Sequence, residues 1–148
     1  MTRLFKIATI SMVAIAMTAC NTEEKQITRT ALGYLQATAE YNIDEAMPYA
    51  CKETRETTLT FLRDKLLPIT DTAYIAANTP AEIKIDSITM AEDTVWVYFT
   101  KDTPIQTVKN ALEMIKEDGK WLVYVPLQLP DNLLAAGDNV DVSFENKE

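Results

Sequence analysis

Leu112-Glu113-Met114-Ile115-Lys116-Glu117-Asp118-Gly119-Lys120-Trp121-Leu122-Val123-Tyr124-Val125 is the stretch on which the fold turns. An Asp-Gly pair between two alternating runs is a preferred two-residue type I′ turn, because its positive φ values follow the twist of paired strands. Centring the turn there sets the register. Glu117 faces Lys120, Lys116 faces Trp121, Ile115 faces Leu122 and Met114 faces Val123. Side chains alternate along a strand. One face then carries Leu112, Met114, Trp121, Val123 and Val125, and the other carries Glu113, Ile115, Lys120, Leu122 and Tyr124. The first face is drier and is expected to lie against helices.

Upstream, Val95-Trp96-Val97-Tyr98-Phe99 is β-branched and aromatic and predicts a strand. Trp96 and Tyr98 share one face of it, opposite Val95, Val97 and Phe99, so one set must point away from the helices. Turned outward, Trp96 and Tyr98 make a patch for a partner protein or glycan; turned inward, they shape a cavity. Ala91–Thr94 and Asp102–Pro104 read as turns. Before them, Ile83 and Ile85 alternate, and Ile88 and Met90 alternate again after a slip at Asp86-Ser87. A slip of one residue in a period of two predicts a β-bulge that bends the strand.

The first half reads as helix. Ile27, Ala31, Tyr34, Leu35 and Thr38 form one stripe at helical spacing, predicting a helix from about Glu23 to Glu40, with Lys25, Gln26, Arg29 and Glu40 mostly off the stripe. Gly33 within it costs about 1 kcal/mol relative to Ala, a cost consistent with a close packing contact. Asn42 with Glu45 resembles a capping box and starts a short helix over Ile43–Ala50, with Pro48 either near its first turn or marking its early end. A third helix is expected from Glu53 to Leu67, with Leu59, Leu62, Arg63 and Leu66 in one stripe and Pro68 as its stop. Ile69–Pro80 is a connector with Tyr74 and Ile75 as its anchors and room for a helical turn. After Pro126 the signal weakens into turn chemistry. Val140, Val142 and Phe144 alternate and offer an edge strand, but one Lys against five acids favours an acidic tail.

The 148 residues allow one domain. Basic residues number 14 and acidic ones 22, a net charge of −8, which argues against nucleic acid or anionic lipid held by charge. No histidine is present, which removes Ser/His and Cys/His nucleophile pairs and His-ligated zinc. Two cysteines cannot form a Cys-only metal site, and three scattered glycines make no phosphate-cradling loop. No metal or other cofactor is expected.

Arg3 and Lys6 precede the uncharged run Ile7–Met17. As a helix that run spans roughly 16 Å, about half of a bilayer core, so it reads as a secretory signal and not a stable span. It ends in Met17-Thr18-Ala19-Cys20, which resembles the bacterial lipobox, with Met17 where the family usually has Leu. That resemblance implies cleavage before Cys20 and acylation of its sulfur. Removal of Arg3 and Lys6 leaves a mature charge of −10, 12 basic residues against 22 acidic. Several acyl chains at about 0.8 kcal/mol per buried methylene anchor such a domain without help from its surface. Asn21 differs from the Asp of the inner-membrane retention signal. Glu23-Glu24 resembles the acidic export signals of Bacteroidetes surface lipoproteins, although acids also suit a helix N-terminus. An outer-membrane lipoprotein is therefore expected, facing either the periplasm or the cell surface. Cys51, the remaining thiol, reads as a small buried hydrophobe.

Three helices followed by a curved antiparallel sheet is an α+β order. Ala31-Leu32-Gly33-Tyr34-Leu35, with Tyr41-Asn42-Ile43-Asp44-Glu45-Ala46-Met47-Pro48-Tyr49-Ala50, resembles the opening of nuclear-transport-factor-2-like domains. Glu117–Val123 resembles their late hairpin. The resemblance covers residues 25–126, and small Bacteroidetes-type lipoproteins of unknown function often join a lipobox to this fold. It implies a cone, a bent sheet around the long helix with a cavity at the wide end. The expected organisation is a leader over 1–19, a single α+β domain over 20–126, and the tail over 127–148.

Fold alone does not settle function. The ketosteroid-isomerase branch that the chain resembles uses carboxylates and a Tyr, for which Asp44 or Asp86 with Tyr34, Tyr49 or Tyr98 would stand here. Asp44 is better explained as a first-turn helix acid and Asp86 as a bulge residue, so no catalysis is expected. Tyr34, Tyr49, Trp96, Tyr98 and Trp121 are the candidate ligand contacts, with core packing the competing role, above all for Trp121. The expected function is a small-ligand binding module tethered through Cys20, and the alternative is a protein–protein assembly module of the cell envelope. An open cavity would favour the first. A cavity filled by Trp121, Met114 and Leu66, with an apolar patch outside, would favour the second.

Overall fold

Asp118 (φ 51°) and Gly119 (φ 76°) both take positive φ, and the strands on either side pair in the expected register, Met114 with Val123 through Glu117 with Lys120. A computed structural model describes residues 22–129; the expected leader over 1–19, Cys20 and the part of the expected tail from Pro130 onward lie outside the described residues. Helix α1 covers residues 22–39. Helix α2, Ile43–Ala46, runs on into a 3-10 turn, Met47–Tyr49. A longer helical segment, α3, covers residues 52–69, and α4 is Thr72–Ala77. Strands β1 (Glu82–Met90), β2 (Thr94–Asp102), β3 (Thr107–Glu117) and β4 (Lys120–Val123) form one antiparallel sheet in the order β1-β2-β3-β4. The architecture is α+β, helices first and sheet second. The phase slip is real: the β1–β2 register shifts between Ile85 and Ser87, leaving Asp86 as the bulged residue.

One core joins the layers. Ile27, Ala31, Tyr34 and Leu35 of α1 and Leu59 of α3 pack on Val95, Val97, Leu112, Met114, Trp121 and Val123. Val95 pairs with Met114 and Val97 with Leu112, so β2 and the hairpin turn the same dry face to the helices. Each fully buried Val, Leu, Ile or Met contributes about 1.5–3 kcal/mol. Trp96 and Tyr98 consequently point away from the helices and are 39% and 43% exposed.

The β4 edge is closed by groups from the helical layer, as a buried backbone requires. The Gln26 Nε2 group donates to the Trp121 carbonyl at 3.1 Å and Gln26 Oε1 accepts from the Trp121 N–H at 3.3 Å. The Cys51 N–H donates to the Val123 carbonyl at 2.9 Å. Beyond the strand, the Val125 N–H donates to Thr54 Oγ1 at 2.8 Å, and Thr58 Oγ1 donates to the Val125 carbonyl at 2.6 Å. Cys51 is fully buried, and its thiol donates to Thr54 Oγ1 at 3.3 Å.

The structure decides two open points of the helical half and corrects a third. The second helix ends early, because Pro48 has no N–H to continue the ladder and sits in the 3-10 turn. The connector holds α4, capped by Asp71, whose Oδ1 accepts from the Ala73 N–H at 2.8 Å. Most of α3 is not α-helical: Arg55–Leu59 and Leu62–Leu66 are π turns. A π turn bonds i to i+5, so each admits an extra residue and rotates the stripe that follows. Leu59 stays fully buried and Leu62 packs on the core, but Leu66 is 44% exposed.

Candidate binding surface

The sheet face turned from the helices is built by alternation along three strands. On β2 it presents Trp96 and Tyr98; across the ladder, Trp96 pairs with Glu113 of β3 and Thr89 of β1, and Tyr98 pairs with Ala111 and Ser87. One step towards the hairpin turn, Ile115 pairs with Leu122. Tyr124 extends the same row, since its N–H donates to the Glu113 carbonyl at 2.9 Å. Glu113 therefore stands between Trp96 on one side and Tyr124 on the other. The Tyr124 phenol is held above its usual pKa, first by the negative charge of Glu53, then by burial, and then by Glu113. Two aromatic side chains half in water beside a carboxylate form a surface with both apolar and polar means of contact.

The five aromatic candidates do not form one site. Tyr34 is 5% exposed and lies in the core, where burial pushes its phenol up to about 12. Tyr49 is half-buried against the same core and against Gly33, where an added Cβ would come within 2.6 Å of Cε2 of its ring. Trp121 is 3% exposed, and its Nε1 donates to Glu23 Oε1 at 2.7 Å. Lys116 Nζ lies 3.4 Å from the same carboxylate and 5.4 Å above the Trp121 ring. Only Trp96 and Tyr98 share an accessible face. Glu113 and Tyr124, which complete that face, follow from the hairpin alternation, but the pairing of Glu113 with Trp96 requires the β2–β3 register. Cys20 lies outside the described residues.

A second accessible region lies at the end of α1. Tyr41 (φ 63°) lines two adjoining clefts of about 130 and 300 Å3 with Ile43 and Leu67, the smaller also bounded by Leu62 and Leu66 and the larger by Arg63. Arg63 is committed there: its guanidinium donates to Asp44 Oδ1 at 3.1 Å and to Asp64 Oδ1 at 2.7 Å. Asp64 holds that charge and is itself held below the usual carboxylate range by it. Asp44 is thus an exposed ion-pair partner. Asp86 accepts from Thr100 Oγ1 at 2.6 Å at the bulge.

Among the described residues no group of three or more His, Cys, Asp or Glu side chains is placed to hold a metal ion, and no helix is long and apolar enough to cross a membrane. No family model matches the chain, and no curated protein or solved structure matches it significantly.

Proposed function

We propose that the chain is a lipid-anchored lipoprotein of the cell envelope whose nuclear-transport-factor-2-like head docks a partner protein through its outward sheet face and catalyses nothing. The observation that carries this is the exposure of Trp96 and Tyr98 on the face opposite the core, at 39% and 43%. Trp and Tyr are the residues enriched at the energetic centres of protein interfaces. Trp121 and Met114 lie in one buried core between helices and sheet, joined there by Leu59, whereas Leu66, the third expected filler, is 44% exposed. That core supports docking over the small-ligand reading, which the clefts at Tyr41 would instead serve.

The anchor rests on Met17-Thr18-Ala19-Cys20 after the short apolar run. Cys20→Ala should move the protein from the membrane to the soluble fraction, and retention in the membrane would overturn the anchor. For docking, a photo-crosslinking residue is placed at position 98 in the producing cells. A discrete protein adduct, lost on Trp96→Ala and not formed from a probe at Lys25 on the outer side of α1, is the expected result. Equal adducts from both positions, or none from 98, would overturn it.

A further inference from the structure

We infer that the outward sheet face takes a cationic segment of its partner protein, an arginine or lysine side chain lying against Trp96 with its charge on Glu113. This rests on the docking reading and specifies its chemistry. Trp96 and Glu113 are direct cross-strand partners, which brings side chains on one face to about 5 Å at Cβ. Among the described residues Glu113 forms no ion pair.

The same chain carries the completed arrangement at another corner. Lys116 sits 5.4 Å over the Trp121 ring while its ammonium reaches Glu23 at 3.4 Å. There the indole, the carboxylate and the cation all come from one polypeptide. On the outward face the indole and the carboxylate come from β2 and β3, and the complementary charge falls to the partner. Arginine suits it best, since its planar group stacks on an indole and pairs with a carboxylate at once. A neutral glycan would use the rings but not the charge of Glu113, and an anionic group placed at Trp96 would meet that carboxylate as a like charge.

The test uses the full chain, 15N-labelled, in micelles of a zwitterionic detergent. The probes are the peptide acetyl-Val-Arg-Val-Arg-Val-amide and its analogue with citrulline, a neutral isostere, at both arginines. The arginine peptide should shift the Trp96 indole N–H and the amides of 96–98 and 111–113, and weaken as salt is raised. The citrulline peptide should bind about ten-fold more weakly, and Glu113→Gln should weaken the arginine peptide roughly two- to five-fold, the size of one exposed cation contact. Equal binding of the two peptides, no response to Glu113→Gln, or no shift at Trp96 with the arginine peptide would each overturn the inference. A neutral oligosaccharide shifting the same signals in place of the peptide would also overturn it. The peptide comparison needs no variant, so it holds even if Glu113→Gln folds poorly. The crosslinking at position 98 judges docking separately.

Discussion

Gly33→Ala should change the sign of its effect with the residue at position 49. In a helix interior, Ala is favoured over Gly by about 1 kcal/mol, and Gly33 lies well inside α1. Against this stands the Tyr49 ring. A Cβ at position 33 would lie 2.6 Å from Cε2 and 2.7 Å from Cε1. Carbon atoms settle at about 3.5–4.0 Å, so the ring would have to retreat by about 1 Å. Its backbone has little room to follow. Tyr49 closes the Met47–Tyr49 turn behind Pro48, the next residue, Ala50, is fully buried and bridges to Val123, and the Cys51 N–H bonds to Val123 at 2.9 Å. Overpacking of this kind costs about 1–3 kcal/mol. Gly33→Ala alone should therefore range from neutral to about 2 kcal/mol destabilising. In a Tyr49→Leu background, which lacks the offending ring atoms, it should stabilise by about 1 kcal/mol. Urea melts of the four proteins give the coupling directly. Stabilisation by about 1 kcal/mol in both backgrounds would refute the close approach of α1 to the turn.

The remaining predictions concern the groups that fasten the sheet to the helices. Burial raises the Tyr34 phenol from 10.0 to about 12, so as pH rises the unfolded chain ionises first, and the stability present below pH 10 is lost between pH 10 and 12. At 1.36 kcal/mol per unit the loss is about 3 kcal/mol, and Tyr34→Phe should remove that slope from urea melts across this range. Glu23 behaves oppositely. The Trp121 indole N–H first, and Lys116 next, hold its carboxyl below its ordinary 4.5; its contribution is complete above pH 4.5 and is lost as pH falls through the lower folded value. Glu23→Gln should show less acid destabilisation than the parent in melts between pH 5 and 2. Thr58→Val keeps the shape of the side chain and deletes its donor to the Val125 carbonyl, at a cost of about 1 kcal/mol; amide exchange should quicken at Tyr124 and Val125 and stay slow in β2 and β3.

How far residues announce structure differs from element to element here, for physical reasons. The β3–β4 hairpin is legible because Asp118-Gly119 admits one tight turn, and a one-residue slip would put Trp121 and Val123 in water. The β1 bulge is legible because Ile85 and Ile88 both need the dry face and a period of two cannot satisfy both without an extra residue. The π turns of α3 are not legible, since Leu59, Leu62 and Leu66 satisfy a 3.6-residue pattern that gives no sign of the i to i+5 bonding over Arg55–Leu59 and Leu62–Leu66. Thr54 and Thr58 both answer to Val125, more than sixty residues away. Gln26 looks like a solvent-facing helix residue until β4 is beside it, where its amide serves as the missing neighbour strand.

The aromatic candidates divide by the same logic. Alternation sets Trp96 and Tyr98 opposite Val95, Val97 and Phe99, but it does not say which set meets the helices. That follows once Val95 is paired with Met114 and Val97 with Leu112, because β3 already commits its dry face through the hairpin. The same pairing sets Glu113 beside Trp96, which no motif in either strand declares. The outward face is thus a property of register and not of composition. A change that shifts β2 against β3 by one residue would bury Trp96 and expose Val95 and Val97 while leaving the composition of both strands unaltered. The Trp96–Glu113 pair and the core against α1 therefore depend on one register, and the proposed docking surface cannot persist in a chain that has lost that packing.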